Sequence, residues 1–172
     1  MVGARPLFHA DGLSIGTDWR LDSPAPVGAA EAAAAFAAID PWRRYDRTAA
    51  DLAALFEPPG GPDGAFRIAA REPSGKIAGL ALVQTPWLAG PYVRFLGVLP
   101  AHQGKGLGEA LLGWIEAEAR RGRSRNLWIC VSDFNIRALA LYRRFGFEPV
   151  AELPDCAADG ISEHFLRKRL TP

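Results

Sequence analysis

The segment from Gln103 to Gly108 reads QGKGLG, with a glycine at every second position after Gln103. Glycines at this spacing let the backbone turn sharply and point successive N–H groups at one anion. An apolar run from Tyr92 to Val98 precedes the loop, and an amphipathic pattern that predicts a helix follows it. The N-terminal end of a helix carries a partial positive charge, which favours anions. The segment therefore predicts a strand, a loop and a helix that together hold a phosphorylated ligand.

Other phosphate-binding loops fit this sequence less well. A Walker A loop requires G-K-[S/T], which does not occur here. A dinucleotide-binding fingerprint opens the first βαβ unit of its domain, whereas this loop follows three predicted strands and two predicted helices. For an isolated glycine-rich loop, a tight turn with positive φ is the purely structural alternative.

A second motif, NIRALALYRRFGF, runs from Asn135 to Phe147. Asn135 is a favourable helix N-cap, and Gly146 stands where a helix commonly ends in the left-handed conformation. Tyr142 lies on the apolar face of this predicted helix. From its position alone, core packing with a tethered hydroxyl is the more common role of such a tyrosine.

Together the two motifs resemble those of the GNAT superfamily of acyl-CoA-dependent N-acyltransferases. The segment LGVLPAHQGKGLGEALL is similar to the family's strand ending in V-x-P and the Q/R-x-x-G-x-G/A loop after it, which are matched by Gln103, Gly106 and Gly108. The second motif is similar to N-x-x-A-x-x-L-Y-x-x-x-G-F, and it is matched at Asn135, Ala138, Leu141, Tyr142, Gly146 and Phe147.

This resemblance implies acetyl-CoA as cosubstrate, no metal, and acetyl transfer to a primary amine by direct attack in a ternary complex. It implies that Asn135 bonds the pantetheine arm and that Tyr142 protonates the departing thiolate as general acid. The arm would pair with the opening strand as an added strand at Leu96, Gly97 and Val98. The pyrophosphate would lie beside Gln103, on the N–H groups of Gly104, Lys105, Gly106, Leu107 and Gly108.

The general base is left unassigned by the sequence. In the ribosomal-protein alanine acetyltransferases of this superfamily a glutamate stands at the position of Cys130, and many relatives carry an acidic residue at the position of Arg94. Asp133, Glu163 and His164 are candidate bases, acting directly or through water, and each is equally interpretable as a cap or a solvated strand residue. A water relay without a protein base is a further alternative.

The resemblance implies an acceptor site formed by the loop between the first two helices, the opening strand and the last hairpin loop. Its candidate residues are Trp42, Tyr45, Tyr92 and Arg94. The arginines of this region disfavour a polycationic acceptor, which leaves a small metabolite amine, an amino acid, an antibiotic, or a protein N-terminus or lysine. A GNAT-fold acyl-CoA-binding module that has lost catalysis is the alternative function, and the missing acidic residues favour it.

The composition is that of a single cytoplasmic domain, residues 1–172. Of these residues 49% are hydrophobic and 23% are charged, and the net charge of +1 predicts neither nucleic-acid nor membrane binding. No signal-peptide pattern or apolar run of membrane-spanning length is present. Cys130 and Cys156 lack metal-ligand spacing and are expected to be reduced thiols. The terminal strands could pair between copies in a homodimer.

The elements that would position these motifs follow one another along the chain as strand, two helices, three strands, helix, strand, helix and two strands. This order predicts an α/β fold with a mixed, mostly antiparallel sheet of about seven strands and helices on both faces. Residues 1–12 are expected to form a loose arm, residues 13–21 the first strand, and residues 57–64 a turn.

Overall fold

The computed structural model of the chain describes residues 6–10, 12–23, 28–57 and 64–170. The helices are α1 (Ala29–Ala37), α2 (Ala49–Ala54), α3 (Leu107–Arg121) and α4 (Ile136–Arg144), with short 3₁₀ helices at Trp42–Tyr45 and Pro100–His102. The strands are β1 (Leu13–Ile15), β2 (Trp19–Asp22), β3 (Ala65–Arg71), β4 (Ile77–Trp87), β5 (Gly90–Val98), β6 (Asn126–Ser132), β7 (Glu148–Leu153) and β8 (Glu163–Arg169). None of the described helices is long and apolar enough to cross a bilayer.

The eight strands form one sheet in the order β1-β2-β3-β4-β5-β6-β8-β7. Only the β5–β6 pair is parallel, so the predicted mixed, mostly antiparallel sheet is confirmed. The predicted number of strands was one too low. Residues 13–21 form the β1–β2 hairpin instead of one strand, because Gly16 adopts a φ of +58° and reverses the chain.

Helices cover both faces of the sheet, as the sequence predicts. The helix α3 packs on one face, where Leu111, Leu112 and Ile115 are fully buried. The other face is covered by α1 and α2, where Phe36 and Leu52 are buried against the sheet. The short α2 begins at a capping box, in which the Thr48 side chain and the Asp51 side chain each bond the other's backbone N–H.

The N-terminal segment packs against α3 and does not form the expected loose arm where it is described. Phe8 is only 2% exposed, and its ring contacts those of Phe66 and Trp114 at centroid distances of 5.3 and 6.1 Å. Its backbone N–H donates to the buried Glu118 carboxylate at 2.9 Å. The prediction was therefore wrong for residues 6–10, while residues 1–5 and 11 and most of the predicted turn at 57–64 lie outside the described residues.

A bulge in β5 changes which face of the sheet its side chains occupy, next to the site described below. Leu82 pairs with Phe95 and Val83 pairs with Val93, so Arg94 is the extra residue on β5. As a result Val93 joins the core under α3, while Phe95, two positions later, joins the core under α1 and α2.

Beside the bulge, β5 separates from β6. The two strands pair only at Tyr92 with Trp128 and at Val93 with Ile129, although β5 continues to Val98. From Arg94 onward, no strand of the described part of the chain pairs with the edge of β5 that faces β6.

Candidate functional site

A cleft of about 900 Å³ opens where β5 and β6 separate. Both strands, the glycine-rich loop, the start of α4, the 3₁₀ helix after α1 and the first residue of β8 contribute to its lining. Of the site residues expected from the sequence, only Lys105 does not line the cleft. The others do: Trp42, Tyr45, Tyr92, Arg94, Leu96, Gly97, Val98, Gln103, Gly104, Gly106, Leu107, Gly108, Asn135 and Tyr142.

The glycine-rich loop has a backbone that favours an anion. Gly104 and Gly106 adopt φ angles of +76° and +83°, and Gly106 is the N-cap of α3. The first N–H groups of any helix have no partner within the helix, and here they lie at the cleft. The conformation and the position of the loop are therefore those of a phosphate-binding turn.

The side chain of Gln103 is used to position this loop. Its Nε2 donates to the carbonyl oxygen of Val98 at 3.1 Å, and its Oε1 accepts from Arg137 Nη1 at 3.1 Å. Gln103 thereby connects the end of β5 to α4. Both ends of the Gln103 side-chain amide are hydrogen-bonded within the protein. Any anion at this loop is therefore expected to bind to its backbone N–H groups.

The free edge of β5 runs along the cleft through Leu96, Gly97 and Val98. A Cβ atom at Gly97 would lie 2.6 Å from a ring carbon of Phe36, so only glycine lets α1 pack this closely on the strand. Since no strand pairs with this edge, its backbone groups can accept an extended, amide-bearing ligand.

Helix α4 brings Asn135 and Tyr142 to the cleft. The side chain of Asn135 accepts the N–H of Ala138 at 3.2 Å, which confirms the predicted N-cap. Tyr142 is 6% exposed, and burial followed by the negative charge of Glu163 raises its pKa above the ordinary value. Its hydroxyl is therefore protonated at neutral pH, as a proton donor must be.

At the other end of the cleft, Tyr45 and Glu163 form a hydrogen-bonded pair. The Tyr45 hydroxyl donates to Glu163 Oε1 at 2.7 Å and forms a second hydrogen bond with Ser132 Oγ. Burial is the main reason that the pKa of Tyr45 is raised, and the Glu163 carboxylate raises it further. The 3₁₀ helix that carries Tyr45 is held by Trp42, which stacks on Phe95 at 4.6 Å.

Tyr92 and Cys130 lie beside this pair. Burial is the main reason that the pKa values of Tyr92 and Cys130 are both raised, that of Cys130 to about 11. Cys130 is therefore a neutral thiol near pH 7 and a poor nucleophile. Trp87 stacks on Tyr92 at 5.3 Å and supports that side of the cleft.

Of the three candidate bases, Glu163 alone lines the cleft. Asp133 and His164 do not, and Asp133 is exposed. Side chains alternate along a strand, so Glu163 and His164 point to opposite faces of β8. The sequence could not select between these two residues, because it does not specify which face of β8 meets the cleft.

Besides Arg137 and Arg144 on α4, two further exposed arginines line the cleft. Arg47 follows the 3₁₀ helix and Arg94 is the bulged residue of β5. Among the described residues, neither arginine has a carboxylate partner within 4.0 Å. The cleft therefore presents uncompensated positive charge outside the glycine-rich loop.

Comparison with known families decides the class of protein. The sequence profile of the Acetyltransferase (GNAT) family matches residues 29–147. The chain belongs to the GNAT acetyltransferase family. This acetyltransferase carries the loop, β5, β6 and α4 inside the matched region, whereas β7 and β8 follow it.

Individual relatives agree with this assignment. The acetyltransferase is 35% identical over 74 residues to streptothricin acetyltransferase from Streptomyces lavendulae, which is 42% of this chain and 39% of that protein. The crystal structure of nourseothricin acetyltransferase is 29% identical, with a TM-score of 0.58 over 66% of this chain and 69% of that one. Ribosomal-protein-S18-alanine N-acetyltransferase from Escherichia coli, 20% identical, shares the fold with a TM-score of 0.67 over 90% of this chain and 95% of that one.

Proposed function

We propose that this acetyltransferase moves an acetyl group from acetyl-CoA to the primary amine of a small molecule, by direct attack within a ternary complex. The observation that carries the proposal is a continuous cleft with a phosphate-binding turn at one end and the Tyr45–Glu163 pair at the other. The free edge of β5 and the buried Tyr142 lie between those ends.

The glycine-rich loop, the free edge of β5 and helix α4 each bind one part of coenzyme A in this proposal. The pyrophosphate lies on the N–H groups of residues 104–108, at the positive end of α3. The pantetheine amides pair with the free edge of β5 at residues 96–98. Arg137 on α4 lines the cleft and donates to the neutral Gln103 side chain, so its charge is available to the remaining phosphate, whereas Arg144 lines the cleft but pairs with Glu109 at 3.1 Å.

In this proposal the acetyl group passes directly from the thioester to the amine, and no acyl-enzyme intermediate forms. The amine attacks the thioester carbonyl, and the departing thiolate takes a proton from Tyr142. Cys130 is the one cysteine inside the sheet at this site, and the raised pKa of its thiol disfavours it as an intermediate acyl carrier. A ternary complex of enzyme, acetyl-CoA and amine follows.

The acceptor is assigned to the class of small-molecule amines on the basis of the relatives. The names of two of them, at 35% and 29% identity, are those of acetyltransferases for streptothricin and nourseothricin. The chain spans 39% of the first relative's length, so its acceptor can differ. Arg47 and Arg94 favour an acceptor that carries an anionic group as well as the amine.

The test is a thiol-release assay with acetyl-CoA and a panel of primary amines: streptothricin, nourseothricin, free lysine, glutamate, an alanyl peptide and spermidine. We expect acetyl-CoA binding in calorimetry and turnover with at least one small amine. Acetyl-CoA binding with no turnover on any amine would contradict the proposal.

That outcome would support the alternative, a binding module without catalysis. One observation favours this alternative: Arg94 and Cys130 stand at the two positions where the resemblance to the family leads us to expect acidic residues, that of Cys130 by comparison with the ribosomal-protein alanine acetyltransferases.

A further inference from the structure

Glu163 is a buried carboxylate without a cationic partner. Its residue is 6% exposed, it lines the cleft, and among the described residues no lysine, arginine or histidine nitrogen lies within 4.0 Å of it. Its one hydrogen bond to a described side chain is the 2.7 Å bond from Tyr45 to Oε1. Oε2 is not fully enclosed by the described residues and opens to the cleft, where a cationic group of a ligand can pair with it.

The groups around Glu163 are neutral near pH 7. They come from four elements at this end of the cleft: Tyr45 on the 3₁₀ helix, Tyr92 on β5, Cys130 and Ser132 on β6, and Tyr142 on α4. Burial keeps the three tyrosines and Cys130 protonated at that pH. Glu163 is therefore the local negative charge of this part of the cleft.

We propose that Glu163 binds the acceptor's amino group through Oε2 and accepts its proton as the amide bond forms. This inference rests on the proposed function and names the residue that was missing from it. It also defines the acceptor as a compound whose reactive amine enters as a cation.

The register of the sheet explains how a residue of β8 reaches this place. Ser132 on β6 pairs with Glu163, and Cys130 pairs with Phe165. Residues 130, 132 and 163 therefore share one face of the sheet. β8 thereby places a carboxylate on the face of the sheet that carries Cys130, beside the end of β6.

The proton balance is complete with these residues. The amine enters as an ammonium ion held by Glu163 and loses one proton to solvent. Its nitrogen then attacks the thioester carbon, and the nitrogen proton that becomes acidic as the C–N bond forms passes to Glu163. The C–S bond breaks with its electron pair on sulfur, which takes the proton of Tyr142. The proton on Glu163 returns to Tyr142, and the products are the amide and free coenzyme A.

Tyr45 is a positioning residue in this scheme. Its hydroxyl fixes Oε1, and its own place is fixed by the second hydrogen bond to Ser132. Because Tyr45 holds Oε1 of Glu163, the other carboxylate oxygen, Oε2, is the one that binds the acceptor's amino group.

The experiment compares Glu163→Gln with a matched control, Glu152→Gln, on the exposed strand β7. Glutamine keeps an oxygen that can accept the Tyr45 hydroxyl but cannot accept a proton at neutral pH. With the best amine of the panel, we expect kcat to fall about 100-fold or more in Glu163→Gln. The KM for acetyl-CoA should be unchanged, and Glu152→Gln should behave as the unmodified enzyme.

A second variant separates the lost base from a lost fold. Glu163→Ala leaves space for a small carboxylate, so added formate should restore part of its kcat. Formate should leave the unmodified enzyme unaffected. Turnover by Glu163→Gln within about threefold of the unmodified enzyme, or a Glu163→Ala variant that binds acetyl-CoA and shows no formate rescue, would overturn the assignment.

Failure of the proposed function is a distinct outcome, because the unmodified enzyme would then acetylate no amine. In that case the charge of Glu163 is tested without an acceptor. The chain has three tyrosines, and all line this cleft. Tyrosinate absorbance near 295 nm should appear at lower pH in Glu163→Gln than in the unmodified protein, and identical titrations would overturn the inference.

Discussion

The ring of Tyr142 lies on the buried face of α4, where Phe147 packs against it at 5.9 Å. Burial and the charge of Glu163 both raise the pKa of Tyr142, so the phenol stays protonated near pH 7 and has a proton to donate in the mechanism proposed above. The same burial means that the ring also contributes to the core.

The variant Tyr142→Phe separates these two roles. It keeps the ring and removes the proton, so we expect kcat to fall about 100-fold while the Kd for acetyl-CoA stays within about twofold. Stopped-assay kinetics and calorimetry measure the two quantities. An unchanged kcat would remove Tyr142 from the mechanism, and thermal unfolding serves as the control for an altered fold.

The pKa shifts of the tyrosines also predict how stability changes with pH. Tyr45, Tyr92 and Tyr142 all have pKa values raised in the folded state. A raised pKa contributes stability that is fully present below the unfolded value of about 10 and is lost as pH rises toward the folded value.

We therefore expect the free energy of unfolding to decrease above about pH 10. Urea unfolding between pH 8 and 11 measures this decrease. Replacing all three tyrosines by phenylalanine should flatten the alkaline slope, and an equally steep slope in that variant would contradict the explanation.

At the level of elements, the loop and α3 form one unit that depends on Gly106. Its φ of +83° is strained for any other residue, although a Cβ atom there would meet nothing within 4 Å. Gly75, in the turn between β3 and β4, has the same properties, with a φ of +88° and open space. The two positions differ in that Gly106 lines the cleft and Gly75 does not.

Alanine at each of these glycines should therefore destabilise the protein similarly, by about 1 kcal/mol. Gly106→Ala should in addition weaken acetyl-CoA binding about tenfold, because the N–H groups at the start of α3 shift away from the pyrophosphate. Calorimetric titration of both variants tests this difference. Equal affinities would show that the loop conformation is unimportant for the ligand.

The sequence predicted those elements whose signals are local. The glycine-rich loop and the Asn135 cap depend on residues within a few positions of one another, and the α4 termination at Gly146 does as well. The features that it missed depend on contacts distant in sequence. Phe8 is buried by Phe66 and Trp114, and the importance of Glu163 depends on its pairing with Ser132.

At the level of the whole molecule, the two halves of the cleft come from different parts of the chain. The loop, β5 and α4 lie within the region that matches the family profile, residues 29–147. Glu163 lies beyond it. In the proposal above, the donor therefore binds to the region that matches the family profile, and the acceptor's amino group binds to a strand outside it.

The last strand of the chain does not extend the edge of the sheet, because β8 lies between β6 and β7. During synthesis, β7 therefore leaves the ribosome before the strand that separates it from the rest of the sheet. A nascent chain that ends before Glu163 already contains every residue assigned to coenzyme A, but β6 lacks its neighbour and the amine has no carboxylate. Under the proposal above, the carboxylate that binds the amine is therefore synthesised after every residue assigned to coenzyme A.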